Sequence, residues 1–354
     1  MIIRKVTKKV QFESIGVCLP EKRLLTSDLV KSLRIPAINK FELLTGIKER
    51  RICSPGEDSL TLAIDAGMDC LAHSKFRGSE IELVISCSIT KYKNGLSQQY
   101  EPPLSMAIKT SIGADKAINF DISNACAGML TGVMVAEDFI QRGVVGNCMV
   151  VSGEYITGLS QHALKTIKTP LSHELASLTL GDAGAAVILQ AVSEAGEGIA
   201  VTGFTTLCGY SDLCVARQSR RMAGAFMKTK ANKIHQVSIS DSGPLVEEAL
   251  KKNGLSFDKI DYLIPHQTSR SAIISGARHY AEFFGVRPGQ VIINLKEHGN
   301  TASTSHFISL YTLLNEGRFK VGDRIMLLCF ASGLIIGVVF FTMNNMVEKY
   351  GNPD

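Results

Sequence analysis

Two stretches of this chain repeat one another in order, and that repetition limits the folds it can adopt. Gly143-Val-Val-Gly-Asn-Cys-Met-Val-Val-Ser-Gly153 resembles Phe319-Lys-Val-Gly-Asp-Arg-Ile-Met-Leu-Leu-Cys-Phe-Ala-Ser-Gly333. Each follows a segment with helical apolar spacing, Ala136-Glu-Asp-Phe-Ile-Gln-Arg142 in one case and Phe307-Ile-Ser-Leu-Tyr-Thr-Leu-Leu-Asn-Glu-Gly317 in the other. Further upstream, Glu80-Ile-Glu-Leu-Val-Ile-Ser-Cys-Ser88 resembles Asp258-Lys-Ile-Asp-Tyr-Leu-Ile-Pro-His-Gln267. Strand, helix, strand, helix, strand thus occurs twice. The pattern predicts an α/β chain of two duplicated βαβαβ-type halves, 1–190 and 191–354. With 354 residues, 45% of them hydrophobic, there is enough apolar material for two fused units.

Within the first half, Asp121-Ile-Ser-Asn-Ala-Cys126-Ala-Gly-Met-Leu130 sets a thiol where a strand turns into a helix. Residues 116–122 alternate as a strand does, and 128–140 have helical spacing. A cysteine at a helix N-terminus meets unpaired N–H groups and the positive end of the dipole, which favour the nucleophilic thiolate. Aligning the halves sets Cys126 opposite His298-Gly-Asn300-Thr-Ala-Ser303, and His266 ends the strand that matches 80–88. Ligands of open α/β sheets bind at strand ends, so the three places are expected to meet at one cleft. There Cys126 is the candidate nucleophile, with His266 and Asn300 as candidate hydrogen-bond donors or thiol partners.

Other stretches bound the chemistry. Residues 10–20 read as a strand, Thr26-Ser-Asp28 as a helix cap, 58–72 as a capped helix, and 90–103 as a surface loop. Nine scattered cysteines without a C-x-x-C pair, and an opening too short and charged for a secretory signal, point to reduced thiols in the cytoplasm with no metal site. A net charge of +5, without an aromatic-interleaved basic motif, does not indicate nucleic acid. The local density of Arg217, Arg220, Arg221, Lys228, Lys230 and Lys233 suits either a solvated face or docking of an acidic carrier or a nucleotide phosphate. Residues 325–343 carry no charge, yet Ala331-Ser-Gly333 and Gly337 divide them, so two buried strands are expected instead of a membrane span.

Four motifs, Asn124-Ala-Cys126-Ala-Gly128, Leu180-Gly-Asp-Ala-Gly-Ala-Ala-Val187, Ile264-Pro-His266-Gln267 and His298-Gly-Asn300-Thr301, resemble the thiolase superfamily, and specifically β-ketoacyl-acyl-carrier-protein synthase III. The resemblance implies a thiolase-like fold in an α/β/α/β/α layered arrangement, a homodimer, and carbon–carbon bond formation by Claisen condensation. It implies that Cys126 takes an acyl group from a thioester and that His266 and Asn300 bind the thioester oxygen of a malonyl- or β-ketoacyl-type unit. Backbone N–H groups of Cys126 and Ser332 would form the oxyanion hole. Substrates would be thioesters of acyl-carrier-protein phosphopantetheine or of coenzyme A, with no tightly bound cofactor. Candidates for lining the pocket or holding the carrier are Phe41, Arg50, Tyr100, Arg220, Arg221, Lys228 and Lys230.

Three features depart from the family pattern. The Trp and Arg that hold the adenine of coenzyme A before Thr-Gly-Ile are absent; Phe41 and Leu44 occupy that stretch, which favours delivery by a carrier protein. Ala331-Ser332-Gly333 replaces a triple glycine, and the loop 91–103 is long. Related enzymes couple two acyl units into diketones or resorcinols, an alternative open to this chain, as is non-decarboxylative thiolase chemistry with Cys329 as base. The order Cys, His, Asn also fits a papain-like hydrolase, although the C-G-x-C-W signature is missing. Glu154 is a candidate base for deprotonation, with a structural role as the other reading.

Overall fold

A computed structural model describes residues 9–33, 35, 40–93, 97–192, 198–220 and 224–351. In its first part the strands are β1 (Lys9–Cys18), β2 (Arg23–Leu25), β3 (Glu49–Arg51), β4 (Leu83–Ser86), β5 (Tyr92–Lys93), β6 (Ser97–Gln98), β7 (Ile118–Asp121), β8 (Asn147–Glu154) and β9 (Ala183–Val192). The helices there are α1 (Thr26–Lys31), α2 (Phe41–Thr45), α3 (Ser59–Ala72), α4 (Leu104–Ser111), α5 (Gly128–Gln141) and α6 (Gly158–Thr166). Then follow β10 (Gly198–Thr206), β11 (Cys214–Gln218), β12 (Ala225–Thr229), α7 (Ala231–Lys252), β13 (Tyr262–Pro265), α8 (Arg270–Phe284), β14 (Gln290–Val291), α9 (Ser305–Asn315), β15 (Arg324–Ala331) and β16 (Ile335–Thr342).

The duplication is visible in the sheets. One has the order β1-β9-β8-β4-β7 and the other β10-β16-β15-β13-β14. In both, the first three strands are antiparallel to their neighbours and the last two join in parallel. The uncharged stretch 325–343 is the β15–β16 pair, as expected, and no described helix is long and apolar enough to cross a membrane.

Side-chain alternation turns these sheets into layers. In β8, Cys148 and Val150 face a core shared with α5 and α9, whereas Met149 and Val151 face α3 and α4. In β15, Ile325, Leu327 and Cys329 join the same shared core, and Met326 and Leu328 face α7 and α8. Both strands are thus apolar on both faces, as a central strand between helix layers must be. The result is α3/α4, sheet, α5/α9, sheet, α7/α8, a thiolase-like fold.

The helix α3 starts where its cap predicts: Asp58 accepts from the N–H groups of Leu60 (2.9 Å) and Thr61 (3.0 Å), and Thr61 Oγ1 accepts from the Asp58 N–H (2.8 Å). It lies almost on the sheet. A Cβ on Gly153 would stand 2.0 Å from the Ser59 carbonyl, and one on the paired Gly184 2.1 Å from that of Leu62. Two local expectations change. The α1 cap is Leu25, because Thr26 is buried and donates to the Ile47 carbonyl (2.6 Å). Within the loop 90–103, β5 and β6 pair as a small hairpin.

Gly153→Ala is expected to lower stability by about 1–3 kcal/mol or more, since helix backbone cannot yield to the new methyl. Gly276→Ala in α8, where a Cβ meets nothing within 4 Å, should instead be neutral or gain about 0.5–1 kcal/mol. Urea unfolding midpoints of the two variants check the contrast.

Candidate active site

From β7 the chain enters a single 3-10 turn, Ala125–Ala127, and α5 begins at Gly128. Ala125 is left-handed (φ 47°), a conformation that costs an L residue about 1–2 kcal/mol. The second half does the same: the 3-10 turn Ala302–Thr304 precedes α9, and Ala302 has φ 52°. The left-handed alanines superimpose the two turns in sequence, so the counterpart of Cys126 is Ser303, within the segment that the repeat indicated. Strained backbone at a strand-to-helix turn presents one side chain to the space between the halves.

Each turn packs on the opposite half. Ala125–Ala127 lies on β15, and Ala302–Thr304 lies on β8. Cys126 is half-buried among Ile156, Leu180 and Ala302, with Ile89, Leu159 and Met227 around it. Ser303 meets Ser152 of β8 (Oγ to Oγ 2.9 Å) and donates to the Glu154 carboxylate.

Asn300 is brought to the same place by backbone pairing across the halves. Its N–H donates to the Thr179 carbonyl (2.8 Å), and its carbonyl accepts from the Gly181 N–H (3.0 Å). Only glycine permits this approach: a Cβ at 181 would stand 2.1 Å from the His298 carbonyl, and Gly299 has φ 68°. The Asn300 Oδ1 accepts from the Ala302 N–H (3.0 Å), which fixes the amide and leaves Nδ2 to donate elsewhere. Asp182 ties this region down, accepting from the N–H groups of Cys53 (2.9 Å), Ile156 and Thr157 (both 2.8 Å).

His266 follows β13, and its N–H donates to the carbonyl of Leu328 (2.8 Å), the neighbour of Cys329. Its Nδ1 meets the hydroxyl of Ser305 (2.8 Å), the first residue after the 302–304 turn. The His306 ring stacks on it at 5.8 Å. Cys126, His266 and Asn300 therefore converge around that turn and the end of β15. Ser303 and Ser305, which orient this group, carried no distinctive signal: hydroxyl residues before a helix read as ordinary caps.

Burial dominates the electrostatics. It pushes the Cys126 thiol up, with the neighbouring Cys214 and Glu154 adding to the effect and a backbone N–H opposing it. Burial thus opposes the thiolate that the helix terminus favours, a contribution that runs against the expectation of a resting thiolate. Burial, helped by His306, depresses His266 to about 3, so its ring is neutral at physiological pH. Burial also raises the Glu154 carboxyl to about 7, against the lowering by its hydrogen bonds.

Two candidates are misplaced. Phe41 is buried among Leu29, Val30, Leu33 and Ile167 and offers no stacking face, because a five-residue helix turns positions 41 and 45 inward; Leu43 and Leu44 are the exposed ones. Arg50 is 0% exposed and donates to the Leu178 carbonyl (2.7 Å) and to Thr26 Oγ1 (2.7 Å), and its burial lowers the guanidinium to about 10. It is a structural strut that meets neither carrier nor substrate. Tyr100 and Arg220 are exposed, Lys228 lies over the Phe226 ring, and Lys230 pairs with Asp212 (2.8 Å). Arg221 lies outside the described residues. Ser332 sits half-buried in the turn after β15, the strand on which the Cys126 turn rests, and Cys329 is a fully buried core residue of that strand.

Comparison with known proteins gives a family. Residues 120–206 match the family model described as 3-oxoacyl-[acyl-carrier-protein (ACP)] synthase III, and residues 250–343 match its C-terminal model. A β-ketoacyl-[acyl-carrier-protein] synthase III of Symbiobacterium thermophilum is 29% identical over 347 residues, covering 94% of this chain and 97% of the relative. The crystal structure of 3-oxoacyl-[acyl-carrier-protein] synthase III from Aquifex aeolicus has a TM-score of 0.79 at 24% identity, over 94% of this chain and 100% of that one. Xanthomonas campestris OleA, solved with lauric acid and lauroyl-CoA, has a TM-score of 0.82 at 22% identity, over 95% of this chain and 99% of that one.

Alkylation of Cys126 by iodoacetamide is expected to rise roughly tenfold per pH unit from pH 7 to 9 without a plateau, because only the thiolate reacts and burial holds the thiol protonated. Peptide mass spectrometry of the alkylated residue measures this. A plateau below pH 8 would mean that the helix terminus wins after all.

Proposed function

Because the chain belongs to the β-ketoacyl-[acyl-carrier-protein] synthase III-like condensing enzymes of the thiolase superfamily, we propose that Cys126 is its acyl-accepting nucleophile and that His266 and Asn300 serve the condensation. The observation that carries this reading is the pair of occupied atoms: Ala302 holds Asn300 Oδ1 and Ser305 holds His266 Nδ1, which leaves Asn300 Nδ2 and His266 Nε2 for substrate. In the first step Cys126 Sγ attacks a thioester carbonyl, and the leaving thiol departs with the thiol proton. In the second, His266 and Asn300 donate to the carbonyl oxygen of a malonyl-type thioester while CO2 leaves. The carbanion then attacks the acyl-Cys126 carbonyl, whose oxyanion accepts from the N–H groups of Cys126 and Ser332, and Cys126 is released. A His266 ring held neutral suits a donor, with its proton on Nε2 when Ser305 donates to Nδ1.

The donor is assigned to an acyl carrier protein. Buried Phe41 and exposed Leu43 and Leu44 offer no clamp for a nucleotide, and exposed Arg217, Arg220 and Lys228 offer an acidic carrier a landing site. Nine free thiols support a reducing, cytoplasmic setting. The proposed boundary between halves, 190/191, falls near the end of β9, the last strand in chain order of the first sheet, and β10 opens the second sheet at Gly198. The homodimer is assigned to the β7 edge: β14, at the corresponding edge, has two residues, whereas β7 has four and leaves Ile118 50% exposed, with Met106 of α4 exposed as well.

Incubation with carrier-bound and coenzyme A acyl thioesters should add one acyl mass to the wild type and none to Cys126→Ala. His266→Ala and Asn300→Ala should still acylate while losing about 100-fold or more in condensation rate; loss of both steps together would contradict the roles given. Counting CO2 per product separates decarboxylative condensation from coupling of two acyl units. Ile118→Lys is expected to yield monomers in sedimentation velocity, and an unchanged dimer would place the interface elsewhere.

A further inference from the structure

One buried acid has no part in the chemistry above. Glu154 ends β8 and is 0% exposed. Its carboxylate accepts from the Ile89 N–H (3.3 and 3.2 Å), from Ser152 Oγ (3.1 Å) and from Ser303 Oγ. Among the described residues it forms no ion pair, which is costly for a carboxylate away from water. The titratable groups that face it are thiols: Cys87, after β4, and Cys126.

The donors it gathers belong to the segments that shape the site. Ile89 packs on the same Ile156, Leu180 and Ala302 cluster as Cys126, and Ser303 follows Ala302, whose N–H fixes the Asn300 amide. In its ionised form this carboxyl is acceptor-only and takes every one of these donors without presenting a hydrogen to any of them. An amide of the same shape would aim its NH2 group at an N–H or a hydroxyl.

We propose that Glu154 is a positioning residue for the condensation: its carboxyl holds the 302–304 turn and Ile89 against β8, so that the Asn300 amide and Cys126 share one cleft geometry. The proposal rests on the role given to Cys126. The charged carboxylate of Glu154 also opposes thiolate formation at Cys126. Because burial already raises this carboxyl to about 7, it carries its full charge only above neutrality.

The test compares wild type with Glu154→Gln and Ser303→Ala, using melting temperature, acylation of Cys126 by intact mass, condensation kcat and KM for the malonyl thioester, and the pH profile of Cys126 alkylation. Glu154→Gln is expected to melt within a few degrees of wild type and to acylate, with kcat down tenfold or more and KM little changed. Its alkylation profile should move to lower pH, because the charge beside the thiol is gone. Ser303→Ala should reproduce the kcat loss without the profile shift, which also keeps the proposal open to refutation if the Gln variant does not fold. Wild-type kcat with an unmoved alkylation profile in Glu154→Gln would overturn the proposal, as would equal losses of acylation and condensation. A wild-type enzyme that takes no acyl group from any donor would overturn the role of Cys126 instead, and the alkylation profiles, which need no substrate, would still decide whether Glu154 acts on the thiol.

Discussion

The crossed packing of two strained turns holds this structure together. Ala125–Ala127 from the first half rests on β15 of the second, and Ala302–Thr304 from the second rests on β8 of the first. Each turn starts with an alanine in the left-handed region, a cost that only surrounding structure can sustain. The helices that follow, α5 and α9, fill the layer between the sheets. Shifting one half relative to the other would thus pull both turns from their seats and open the shared core at once.

That arrangement has a chemical consequence. Two halves related by duplication bring equivalent positions face to face, yet the sequence makes them unequal. Where the first half offers Cys126, the second offers Ser303, and the strand ends opposite them carry Cys329 and Ser152. One side of the cleft is soft, apolar and reactive; the other is a hydroxyl and carboxyl network. A near-symmetric frame supplies the geometry, and two unlike pairs within it, Cys126 against Ser303 and Cys329 against Ser152, make its two sides unequal.

Burial governs the electrostatics of the cleft. It keeps the Cys126 thiol and the His266 ring neutral and lifts Glu154 toward neutrality. A condensation that moves acyl groups and carbanions past one another gains from such a site, since preformed charge would have to be desolvated again in each step. Hydrogen bonds fixed in advance, Ala302 on Asn300 and Ser305 on His266, take the place of charge.

The sequence by itself determined the duplicated α/β halves and the three groups at their meeting point. Strand and helix periods of apolar residues are local properties, and a cysteine after a strand, a histidine after a strand and an asparagine after glycine are marked by their immediate neighbours. Tertiary structure decided the rest. Arg50, expected to line the pocket or hold the carrier, instead donates to the Leu178 carbonyl, 128 residues away, which no local pattern encodes. Phe41 looks available for stacking until the packing of α2 on the Ile167 cluster turns it inward. The ionisation of Cys126 went the same way: the helix terminus is written in the sequence, but the desolvation that opposes it comes from a cluster assembled by tertiary packing, Ile156 and Leu180 of the same half and Ala302 of the other.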